Sequence, residues 1–309
     1  MRRWFALGCA LLFTLAFANA ASAGAISELF LSSTIQSLDP AQRMAKGGIQ
    51  VSLWVILFYI FYLGTIWAFN VAMFVTEPDL SPERRPFARY FCRCNIFLAA
   101  GDTGMFLAFL IAYLFPESFA TPEGSQKLMQ LLLFGVFSTS LTMSVFYWYI
   151  GLYYQRAFAG RWDVIILIIL IFFVIRLMLH FNPENVWFSM MLPPGQPNYS
   201  AWLRNIPLFI YGLLAVSAVL YLSWKRWRNS EGTVRHIECC VQLAMLALIV
   251  SFVVYALDIF YSHKIPPAYI WIIYTVKTLA YMAAFFFMWL GEFYYGRRLH
   301  IAGGAATRS

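Results

Sequence analysis

Seven apolar stretches recur along the chain, near residues 50–74, 95–115, 128–153, 163–181, 206–223, 241–261 and 267–290. A bilayer core takes about 20 apolar residues as a helix, and in lipid the backbone must satisfy its polar groups within the segment. The expected fold is therefore an all-α polytopic membrane protein with seven transmembrane helices. Composition points the same way: 61% of the residues are hydrophobic and only 12% are charged. A soluble domain carries about 25% charge. The balance excludes a soluble enzyme, a disordered chain and a nucleic-acid-binding module.

The first residues read as a processing segment. Arg2 and Arg3 precede an apolar run, Trp4 to Phe17, followed by Ala18-Asn19-Ala20 and Ala21-Ser22-Ala23. A basic start, a short apolar region and small residues two apart make a cleavable secretory signal. The expected organisation is a signal peptide over 1–23 and an extracytoplasmic segment over 24–49. The seven-helix domain follows over 50–298, with a cytoplasmic tail over 299–309.

The loop charges give an orientation. Arg84, Arg85, Arg89, Arg93, Arg156, Arg161, Lys225, Arg226, Arg228, Arg235, Arg297, Arg298 and Arg308 fall in alternate loops and the tail, thirteen in all. The other set holds five: Arg43, Lys46, Lys127, Arg204 and Lys264. Lys and Arg collect on the cytoplasmic side, so the N-terminus is expected outside and the C-terminus inside a bacterial inner membrane. The longest outer connection, 182–205, carries four prolines with Trp187 and Trp202 and is expected to form an interfacial cap. Asn198-Tyr199-Ser200 within it matches a glycosylation sequon.

The spans also suggest a three-plus-one-plus-three parallel repeat. Arg89 and Cys94 before the second run match Arg235 and Cys240 before the sixth in spacing. Trp148, Tyr153-Tyr154 and Arg156 match Trp289, Tyr294-Tyr295 and Arg297 in the same way. Transporters use such repeats and place their site between them, near the midplane.

An ionisable residue at bilayer depth is costly and is by default a functional candidate. Lys277 comes first, about 16 Å into the seventh run at 1.5 Å per residue, too deep to snorkel. Tyr274 and Tyr281 share its helical face. The hydroxyls of Ser138, Thr139, Ser140, Thr142 and Ser144 are expected opposite, and Asp102 in the second run is a candidate mate. Together Lys277, Tyr274, Tyr281, Ser138, Ser140, Thr142 and Asp102 form the expected substrate- or ion-binding set. Arg176 and His180, one turn apart, with Asp258 at similar depth, form an expected charge pair or outer gate. Glu292 reads as a bland interfacial residue.

Cys92, Cys94, Cys239 and Cys240, with His236, could in principle hold a metal. Their C-x-C and C-C spacings are not those of common zinc sites, so small apolar packing is the favoured reading. Seven helices and a lysine in the last invite comparison with microbial rhodopsins. However, the third span has no carboxylate and Ile273 stands four before Lys277. Seven-helix sugar transporters carry a Pro-Gln dipeptide in the first and fifth spans, which this chain lacks. No family is assigned, and neither retinal nor a metal is expected.

The residues favour a small-solute or ion transporter, with proton coupling an open feature. Two alternatives stand beside it: a membrane sensor acting through a cytoplasmic partner, and a structural or assembly subunit of a membrane complex. No nucleophile–base constellation argues for an enzyme. The expected partners are the lipid bilayer and another membrane protein or a second copy; nucleic acid is not among them.

Overall fold

The computed structural model describes residues 53–115, 118, 122–182, 185, 196–261, 264–265 and 267–306. The expected signal peptide, the 24–49 segment and most of the 182–205 connection lie outside these residues. Eight α-helices follow in chain order: α1 (Leu53–Thr76), α2 (Arg85–Leu114), α3 (Pro122–Tyr154), α4 (Val164–His180), α5 (Tyr199–Arg228), α6 (Gly232–Tyr261), α7 (Pro267–Met288) and α8 (Gly296–Ala306). π-helical segments, Gln155–Ala159 and Trp289–Tyr295, end α3 and join α7 to α8.

Six of the helices are long and apolar enough to cross a membrane, while α4 is a shorter apolar helix of 17 residues. At 1.5 Å per residue α4 reaches about 25 Å, a little under a typical hydrocarbon core. What these helices expose is apolar: Phe74 and Val75 on α1, Phe134 on α3, Met178 on α4 and Val253 on α6 are each more than half exposed. A chain that turns such residues outward on most helices is built for lipid, since soluble proteins rarely show continuous apolar surface of this extent. The molecule is a helical membrane protein.

Several helices run past the apolar stretch that marked them. α5 starts at Tyr199, seven residues before the expected span, because the Asn198 side chain accepts from the Ala201 N–H at 2.9 Å and caps it. Asn198 is 5% exposed. Its side-chain oxygen belongs to the helix start. Arg204, expected in an outer loop, lies inside α5 and is buried. Asp163 caps α4 likewise, accepting from Ile166 N–H at 3.0 Å. Gly160, at φ 69°, ends the segment after α3 in the left-handed conformation that a side chain would disfavour.

α1, α2 and α3 pack in chain order, as do α5, α6 and α7; α3 lies against α5, α7 against α1, and α4 beside α3 and α5. The closest approach is between α2 and α3, where Gly101, Gly104 and Gly135 bring the backbones together. Without a strong solvophobic drive between helices in lipid, small residues of this kind let dispersion hold the pair. The aromatic core runs through the centre: Tyr147 touches Phe146 and Phe252, and Phe146 stacks on Phe285.

The basic turns meet at one end. There Arg84 reaches Glu292, Arg297 reaches Asp79, and Arg226 donates to the Ala157 carbonyl. These contacts make this the basic end of the molecule. The opposite end brings the start of α5 to the end of α6, with Trp202 Nε1 donating to the Ile259 carbonyl at 2.9 Å.

Candidate functional site

Three polar clusters interrupt the apolar interior. The first surrounds Lys277, eleven residues into α7. Its ammonium lies 4.7 Å from the ring centre of Tyr274 and 5.4 Å from that of Tyr255 on α6. Cation–π contacts of this kind offset part of the cost of a charge removed from water. Asp102 on α2 and Asp258 on α6 both lie within electrostatic reach of the ammonium, yet neither closes to an ion pair. The described ion pairs all involve other residues. Tyr62 on α1 donates to Asp102 Oδ2 at 2.6 Å. Tyr281, one turn beyond Lys277, shares a hydrogen bond with Tyr147 at 3.2 Å and lies 3.6 Å from Met143 Sδ.

Lys277, Asp102 and Asp258 each remain half-buried in the midst of the bundle. Four helices supply this cluster, α1, α2, α6 and α7. Lys277, Tyr274 and Asp102 lie near one another, and Tyr281 adjoins them.

Of the expected hydroxyls, Thr139 comes within reach of Asp102 in this cluster, and the others turn away from it. Thr139 donates to the Gly101 carbonyl at 3.0 Å, and Thr142 bonds within its own helix to Ser138 and Thr139 carbonyls. Ser138 lies against Gly104. These three serve the α2–α3 contact. Ser140 and Ser144 look the other way, towards α4.

There they hold the second cluster. Arg176 is fully buried: its Nη2 donates to Ser140 Oγ at 2.8 Å, its Nε to Ser144 Oγ at 3.3 Å and its Nη1 to the Arg204 carbonyl. The expected Arg176–Asp258 pair does not form. The α3 hydroxyls occupy the guanidinium, and Asp258 is turned towards Tyr274 and Lys277. His180 is buried against Phe137, ring centres 5.3 Å apart, one turn from Arg176 as spacing requires.

Tyr255 joins the two clusters. Its ring meets Lys277 and its hydroxyl donates to Asn205 on α5 at 2.9 Å. Sequence reasoning passed over it, although Ser251, Tyr255 and Asp258 fall at i, i+4 and i+7, a polar stripe on an apolar helix.

The third cluster lies at the basic end. Glu292, expected to be interfacial, is 4% exposed; Arg84 approaches its Oε2 at 3.0 Å and Tyr153 donates to its Oε1 at 2.8 Å. Glu238 on α6, which no sequence argument singled out, is 5% exposed beside it.

Among the described residues the four cysteines are free thiols, with Cys92, Cys94 and Cys240 buried and Cys239 exposed. Cys94 bonds locally to the Phe91 carbonyl at 3.2 Å, and Cys240 packs on Gly291. His236 lies edge-on to Tyr295. Among the described residues no three metal-ligating side chains come together.

Comparison with protein-family models, with curated proteins and with solved structures returns no match. Geometry therefore carries the functional reading.

Proposed function

We propose that this membrane protein is a small-solute or ion transporter whose site centres on Lys277, with a proton as the coupling ion. The observation that carries this reading is one amine set between two carboxylates on different helices, none of them closed into an ion pair. A structural charge in lipid is expected to be neutralised by a tight partner. Here Lys277 rests on tyrosine faces, free to pair with Asp102 or with Asp258. With all three ionised the cluster carries one net negative charge, which one proton or one small cation balances.

The packing supports the same reading. α2 and α6 are the second helices of the two three-helix groups, so the carboxylates flank Lys277 from opposite halves. An interface between repeats is where alternating access places a solute. On the charge rule the basic end faces the cytoplasm, which puts the N-terminus outside; α4 then completes seven crossings by tilting little or thinning the bilayer around it.

The test is charge movement in proteoliposomes under a pH gradient, across anions, cations, sugars and amino acids, for the wild type beside Lys277→Met. Currents in the wild type, reduced at least about tenfold in a variant of unchanged fold, are the expected result; a difference of that size needs only about 1.4 kcal/mol of site energy. Full current in a folded Lys277→Met protein overturns the assignment. A wild type that moves no charge would favour the sensor or the assembly subunit.

A further inference from the structure

Two carboxylates are buried side by side at the basic end, and only one is satisfied. Glu292 accepts from both Arg84 and Tyr153. Glu238 has no such support: its Oε1 stands 3.9 Å from Arg226 Nη1, beyond hydrogen-bond length, and its Oε2 has no hydrogen-bond partner. Arg226 is engaged elsewhere, donating to the Ala157 carbonyl and lying 4.2 Å over the Phe158 ring. Ser223 on α5 is a second buried group whose hydroxyl lacks a partner. Gln242 donates to both the Ser223 and Glu238 carbonyls, at 3.5 and 3.2 Å, which places the two residues across one interface.

The backbone brings the carboxylates together. Glu292 belongs to the π-helical segment after α7, and such segments gather at functional positions in long helices. Gly291 seats that segment on α6, where an added methyl would meet Cys240 Cβ at 2.9 Å and the Ile237 carbonyl at 3.3 Å. The charged groups facing Glu238 are Glu292 from this segment, Arg226 from α5 and Arg84 ahead of α2, with the Tyr153 phenol from α3. On α8, Arg297 turns to Asp79 and Arg298 to Tyr294.

An ionised carboxylate that is buried, unbonded and next to another carboxylate is penalised twice, by desolvation and by like charge. We infer that Glu238 is a proton-binding site, set beside a Glu292 whose carboxylate Arg84 and Tyr153 already engage. The Glu238 carboxylate takes a proton from hydronium at the basic face, leaving the acid and water, and returns it by the same route past the half-exposed Arg226. Its part in coupling rests on the transport reading above; the site itself does not.

Infrared difference spectra of the lipid-reconstituted protein, stepped from mildly acidic to alkaline pH, test the site without any transport assay. A protonated-carboxyl band present at neutral pH is expected to bleach in alkali, to be lost in Glu238→Gln and to be retained in Asp102→Asn and Asp258→Asn. Glu292→Gln removes the like charge and moves the bleaching to lower pH; Arg226→Gln removes a cation and moves it to higher pH. These two shifts carry the test should Glu238→Gln fail to fold. A band that survives in Glu238→Gln, ignores both neighbours, or vanishes at fixed pH when sodium replaces potassium overturns the inference. The expected band in a protein that moves no solute keeps the proton site and removes its coupling role.

Discussion

Single side chains set the ends of the elements, and Asp163 shows how a titrating group does so. Burial alone would raise its carboxyl, but hydrogen bonds from the Tyr154 hydroxyl and the Ile166 N–H outweigh that and hold it below its ordinary value of 3.8. A carboxyl depressed in the fold contributes stability that is complete above the unfolded value and is lost as the pH falls through the folded one. Asp163→Asn keeps a capping oxygen, so its thermal stability should vary less with acid than that of the wild type; superimposable pH profiles would contradict the capping role. Asp163→Ala should cost about 1 kcal/mol at neutral pH. Residue identity made Lys277, Asp102 and Arg176 legible in the sequence because charge in an apolar run is conspicuous. Their partners were not legible. Which hydroxyls of α3 face α4 and which face α2 depends on the rotation of a helix that is apolar nearly all round. Glu238 stayed hidden because its neighbours Arg235, His236 and Cys239 look like an ordinary membrane boundary.

Elements in this bundle are positioned by glycine as much as by bulk. A methyl on Gly101 would come 1.8 Å from Thr142 Oγ1 and 3.0 Å from the Thr139 Cα. The first of these is a side-chain atom and the second is backbone. Gly101→Ala should therefore destabilise the folded protein by about 1–3 kcal/mol, as overpacked cores do. Adding Thr142→Ala removes the nearest obstacle and should recover part of that loss, leaving the backbone contact as the remainder. Unfolding of the single and double variants in mild detergent reads the coupling directly; strictly additive losses would mean that α2 and α3 do not meet there. Gly104→Ala, which meets Ser138 Oγ at 3.3 Å, should cost less. Runs of apolar residues located the helices, whereas their ends were set by polar caps beyond those runs. That is why α5 begins at Tyr199 and why Arg204 belongs to its interior rather than to a loop.

At the scale of the whole molecule two contacts join the helix groups, α3 against α5 and α7 against α1, and the Lys277 cluster lies beside the second. Phe69 on α1 meets Phe286 and Trp289 across that contact, with ring centres 5.9 and 6.0 Å apart. Phe97 on α2 stacks on Tyr149 of α3 at 5.6 Å, a contact inside the α1–α3 group. If the halves rock about the site, a covalent link between the groups must arrest transport while a link inside one half must not. Cysteines at positions 69 and 286, in a background where the exposed Cys239 is replaced by serine, should stop uptake on oxidation and release it on reduction. Cysteines at 97 and 149 should cross-link as readily and leave uptake unchanged, because α2 and α3 travel together as one packed body. Equal inhibition by the two links, or none by either, would separate the polar cluster from any motion of the halves. Lys277 would then be a fixed charge held in place by Tyr255 and Tyr274, and its exchange between Asp102 and Asp258 would have no mechanical counterpart.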